Sequence, residues 1–189
     1  MDIVSTTQRR KMHPHKFMLW VAIASIVMMF AGLTSAYIVK SNQINWKPVS
    51  LPSAFWISTA VILLSSLTIQ MALRSFKQRD LPLYRWLLIA TMVLGIAFVA
   101  LQWMGFNQLW KQNITFKGAG AGQFLYVIFG LHALHVIGGI IALIVIALRG
   151  VFSATKYYGS NPIETAALYW HFVDFLWLYL LIFFLIIGK

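Results

Sequence analysis

The sequence predicts an all-α integral membrane protein, a bundle of five transmembrane helices. Three observations carry that prediction. Hydrophobic residues make up 60% of the chain and charged residues 10%, with a mean hydropathy of +0.78; a soluble domain is about half apolar and about a quarter charged. Five apolar runs are each long enough to cross a hydrocarbon layer of about 30 Å. None of the runs alternates with period two, which argues against barrel strands, and a helix satisfies its own backbone hydrogen bonds in lipid.

Residues 1–16, with the polar, basic start "MDIVSTTQRRKMHPHK", read as an N-terminal tail ahead of one transmembrane domain over 17–189. The first span runs from Phe17 to Val39 and is longer than the apolar core of a cleavable signal peptide, so it reads as retained. The second runs from Ser53 to Ser75, with Pro52 and Ser53 at its start. The third covers Leu83 to Trp110 behind a first-turn Pro82, the fourth Gly120 to Leu148, and the fifth Pro162 to Ile187. The connections "KSNQINWKP", "FKQRD", "KQNITFKGAG" and "RGVFSATKYYGSN" are too short to hold a soluble domain.

The net charge is +11. The basic residues fall at the ends of apolar runs, where they meet lipid headgroups rather than nucleic acid. With the N-terminus cytoplasmic, ten Lys and Arg residues lie inside and five outside, so the positive-inside rule places the N-terminus in the cytoplasm and the C-terminus outside. Trp46, Trp56, Trp103, Trp110 and Tyr157 suit an interfacial aromatic belt. The chain has no cysteine, which excludes disulfides, thiolate metal sites and iron–sulfur clusters.

Ionisable groups at membrane depth are costly and turn toward the bundle interior, where they find partners. The fourth span carries His132 and His135, three apart on one face, with Gly130, Gly138 and Gly139 beside them to let another helix come close. The fifth carries Glu164, His171 and Asp174, spaced seven and three along one stripe. Antiparallel neighbours would bring the two sets together with direct hydrogen bonds between the helices. Such a set could instead ligate iron, copper or zinc, or relay protons through Glu164, His171 and Asp174. Haem ligation calls for histidines facing one another across a wide pocket, and the crowded "HVIGG" favours tight packing. Ser65, Ser66 and Gln102 read as small or hydrogen-bonding residues of helix interfaces. The methionines are scattered gap fillers, not a copper-transport cluster. A transporter would show broken helices or inverted repeats, and neither is present.

Two long motifs then point to a family. "ETAALYWHFVDFLWLYLLIF", Glu164 to Phe183, and "GLHALHVIGG", Gly130 to Gly139, resemble the signatures of subunit III of the haem–copper terminal oxidases. "LLSSLTIQMA" and "FAGLTSAY" resemble two further helices of that family, and the likeness covers the chain after its tail. The short bacterial form, lacking the first two of seven spans, fits best. The resemblance implies a subunit with no catalytic or metal-ligating residue and no bound cofactor, with haem and copper in subunits I and II. It implies packing against subunit I, support for oxygen and proton delivery in a proton-pumping complex of the bacterial plasma membrane, and phospholipid at the Arg149 headgroup site. The electron donor to the complex would be cytochrome c, with quinol as the alternative; an independent bis-histidine haem protein is the remoter rival. Two family carboxylate positions are lost: Ile26 follows Ser25, and Gly105 stands three residues after Gln102.

Overall fold

The computed structural model describes residues 14–41, 52–111, 121–152 and 161–188. They form five helices: α1 Pro14–Ser41, α2 Ser53–Lys77, α3 Leu81–Lys111, α4 Ala121–Phe152 and α5 Asn161–Ile187. Each is long and apolar enough to cross a membrane. The helices overrun most of the predicted ends by up to a turn or so. The apolar runs mark only the hydrocarbon depth, whereas a helix can continue through the headgroup layer where water can reach its backbone. α1 starts at Pro14, so the last residues read as tail are already helical.

The turn between α2 and α3 is built from three residues. Gln78 N–H donates to the Arg74 carbonyl at 3.0 Å and Asp80 N–H to the Ser75 carbonyl at 3.0 Å, which closes the end of α2. Arg79 takes a left-handed backbone with φ 64°, the conformation glycine fills at many helix ends. The Asp80 carbonyl accepts Tyr84 N–H at 3.0 Å, starting α3. This short reversal makes α2 and α3 antiparallel neighbours along their length.

α5 lies against α1, α2 and α4, and α3 closes the far side between α2 and α4. Half of the apolar stretch of α5 is buried, against 17% for α1, so α5 is the central helix and α1 an edge helix. The core is an aromatic cluster. Trp177 is fully buried, with ring centroids 4.9 Å from Phe129, 5.2 Å from Phe98 and 6.1 Å from Phe55. Met28, Trp86, Phe175 and Ile186 point outward more than two-thirds exposed, an arrangement suited to lipid.

α1 is held by few contacts. Tyr37 meets Phe183 and Phe184 edge-on at 5.5 and 5.1 Å, and the Thr34 and Tyr179 hydroxyls are 3.1 Å apart. Both replaced carboxylate positions are occupied by packing. Ile26 lies against the core cluster, and a side chain at Gly105 would meet the Phe55 ring at 2.9 Å.

Candidate functional site

Glu164 and His171 of α5 turn toward α1 and α2 rather than α4. At about 100° per residue, Glu164 and His171 lie within roughly 20° of one another, and Asp174 is offset from His171 by roughly 60° toward Trp170 and Trp177. Both tryptophans are buried and reach α2: Trp170 Nε1–H donates to Ser65 Oγ at 3.0 Å, and Trp177 Nε1–H to Thr59 Oγ1 at 2.9 Å. Placing these two indoles toward α2 rotates the rest of the stripe with them.

Glu164 sits at the first turn of α5 and bridges two helices. Its Oε2 is 3.3 Å from Lys16 Nζ on α1, and its Oε1 is 3.3 Å from Lys77 Nζ on α2. One turn pair deeper, His171 meets α2 twice: Nδ1 is 2.6 Å from Ser66 Oγ and Nε2 is 3.2 Å from Gln70 Oε1. Asp174 is 3% exposed, and neither carboxyl oxygen has a hydrogen-bond partner. Lys16, Lys77, Glu164, His171 and Gln70 line a cleft of about 480 Å³ between α1, α2 and α5, together with apolar residues such as Trp20 and Leu168.

The α4 histidines are placed differently from one another. His132 is fully buried, 5.1 Å from the Trp177 ring and 5.9 Å from Phe98, with neither ring nitrogen hydrogen-bonded. His135 Nδ1–H donates to the Leu131 carbonyl of its own helix at 2.7 Å, and its ring meets Phe30. The expected side-chain bonds from these imidazoles to Glu164, His171 and Asp174 are not formed among the described residues. Helices α4 and α5 join through Tyr169, whose hydroxyl donates to the His135 carbonyl at 3.2 Å, and through Gly139, where the Trp170 and Tyr169 rings come within 3.1 and 3.3 Å of a Cβ position.

The remaining candidates divide. Gln102 Nε2–H donates to Ser58 Oγ at 3.2 Å, joining α3 to α2. Ser65 and Ser66 both bond to α5. Gly130 and Gly138, expected at a close helix approach, have nothing within 4 Å of a Cβ position; they face outward on α4, and only Gly139 of the three carries a contact. Arg149 belongs to α4, and its side chain lies outside the described residues. The sequence reading missed Trp170, Trp177, Lys16 and Lys77. The signal was there in two tryptophans seven apart on α5 and hydroxyls at 59 and 65 on α2.

The described histidines and carboxylates do not converge on one shared ligand set. The described imidazoles are spread over separate packing environments: His171 has both nitrogens engaged, and His132 lies against the Trp177 and Phe98 rings. Among the described residues no three His, Cys, Asp or Glu side chains are grouped to hold an ion.

The double ion pair of Glu164 predicts a modest effect. Its lysines are about half exposed, so Glu164→Gln should lower stability by about 1 kcal/mol or less, with the loss shrinking at high salt. Thermal unfolding in detergent at two ionic strengths measures it; a salt-independent loss would show that the pairs contribute through packing instead.

Comparison with known proteins completes the site. The family model described as cytochrome c oxidase subunit III matches residues 10–189. A "Probable cytochrome c oxidase subunit 3" of Nocardia farcinica is 34% identical over 163 residues, 82% of this chain and 79% of that protein. The "Cytochrome c oxidase subunit 3" of Bacillus sp. PS3 is 25% identical over 166 residues, 85% of this chain and 80% of the relative. That of Pelomedusa subrufa is 36% identical over 127 residues, 66% of this chain and 46% of the longer relative.

Proposed function

Since this chain belongs to the cytochrome c oxidase subunit III family, we propose that it serves its haem–copper oxidase as a subunit without a redox centre of its own. Family membership makes it a component of an oxidase complex, and the five apolar helices with the bacterial relatives make it a multi-pass protein of the bacterial plasma membrane. Its proposed neighbours are subunit I, as the main contact, and subunit II, where the haem and copper reside. The observation that carries this reading is the family match across residues 10–189 on a bundle in which His171 and Trp170 of α5 bond to Ser66 and Ser65 of α2.

Cytochrome c is the proposed electron donor to the complex, because the relatives are named for it. The proposed orientation puts the α1 start and the α2–α3 turn on the cytoplasmic side, supported by the ten-to-five bias of lysine and arginine. Arg149, near that same side on α4, is the proposed partner of a phospholipid phosphate.

Co-purification tests the reading. A tagged chain drawn from native membranes should bring down haem-bearing subunits and an activity that oxidises cytochrome c with oxygen, while the chain separated from them should show no Soret band. Recovery of the chain alone, with membrane oxygen uptake unchanged when it is deleted, would refute it, as would haem bound to the chain itself.

A further inference from the structure

Asp174 is the polar group that the helix contacts leave unexplained. It sits on the core side of α5 between Trp170 and Trp177, is 3% exposed, and has no hydrogen bond to either oxygen. An ionised carboxylate so placed would be a buried charge without a donor or cation, whereas a carboxylic acid would not. The Ser66 hydroxyl lies close enough to act on this carboxyl, though it closes no hydrogen bond to it. That same hydroxyl is 2.6 Å from His171 Nδ1. On the other side of the ring, Nε2 faces the Gln70 amide oxygen at 3.2 Å. An amide oxygen only accepts, so Nε2 carries the ring proton and Nδ1 accepts from Ser66. His171 and Gln70 both open onto the cleft.

We propose that Asp174 is a proton-holding site that fills and empties through Ser66 and His171 from the cleft between α1, α2 and α5. On release, rotation of the carboxyl closes the bond to Ser66 that is open here; its proton passes to the Ser66 oxygen as the Ser66 hydroxyl proton moves to His171 Nδ1. The imidazolium then gives its Nε2 proton to water in the cleft. One proton leaves the carboxyl and one enters the cleft; uptake reverses the steps. The titratable and charged groups along the path are His171 on the same helix and Lys16, Lys77 and Glu164 lining the cleft, while His132 on α4 packs against the neighbouring Trp177. α2 faces the path with the neutral Ser66 and Gln70. The proposal stands on this chain's own residues, so it survives or fails separately from the identity of the partner subunits.

Infrared spectroscopy of the full chain in its native assembly, in lipid nanodiscs, tests it. The wild-type minus Asp174→Asn spectrum should contain the C=O stretch of a protonated carboxyl that shifts in D2O. Ser66→Ala should slow that shift roughly a hundredfold, the low end of what a positioned proton-transfer group contributes. Ser66→Thr, which keeps the hydroxyl, should restore it. If Asp174→Asn does not assemble, 13C-labelled aspartate identifies the band and the Ser66 pair decides. Absence of an acid C=O band at Asp174, or an unchanged exchange rate in Ser66→Ala, overturns the proposal.

Discussion

Replacing Trp177 with alanine is expected to lower stability by about 3–5 kcal/mol, the range for removing a large buried aromatic side chain. The indole is fully buried, and it touches four rings, those of Phe55, Phe98, Phe129 and His132. In a bilayer the lost term is packing more than transfer from water, because lipid tails are as apolar as the core. The cavity would open where α2, α3, α4 and α5 meet, and the surrounding rings cannot all collapse into it. Trp177→Phe should cost much less, about 1 kcal/mol, from the missing bond to Thr59. Unfolding midpoints in detergent for the two variants measure the difference. Equal losses in both would mean that the Thr59 bond, and not the ring cluster, holds the centre.

The second large effect concerns Gly95. A Cβ there would lie 2.8 Å from Trp170 Cη2 and 3.2 Å from Ile140 Cγ1, with the indole itself pinned by its bond to Ser65. Gly95→Leu should therefore cost about 3 kcal/mol, the upper end for overpacking a filled core. Gly138→Leu is the matched control. Nothing lies within 4 Å of its Cβ position, so its stability should stay within about 0.5 kcal/mol of wild type. A stable Gly95→Leu, or a Gly138→Leu that loses as much, would show that the α3–α5 contact is looser than the side-chain distances state.

The glycines show where sequence reasoning reached its limit. Three near His132 and His135 looked alike as points of close approach, yet only Gly139 meets a neighbour. Gly95, in a run with no polar marker, carries the tighter contact. Small residues permit close packing but do not say from which direction a partner comes. The α5 stripe has the same history. Helical spacing put Glu164, His171 and Asp174 along one stripe, but nothing in that spacing names the helix opposite. His171 found Ser66 and Gln70 on α2 because Trp170 and Trp177, bulky and each with one donor, also needed the α2 hydroxyls. His132 was left to aromatic packing.

What the sequence determined by itself is the membrane class, the five spans, and the family that the two long motifs resemble. Those follow from local properties: a lipid-crossing helix needs only enough continuous apolar length, and its backbone bonds close within itself. Only the tertiary structure decided which helix α5 serves, which glycine is crowded, and that Asp174 ends up buried with no partner. Those depend on rotation about each helix axis. That rotation is fixed by the fit of large rings from several helices at once, a non-local sum that no single segment encodes.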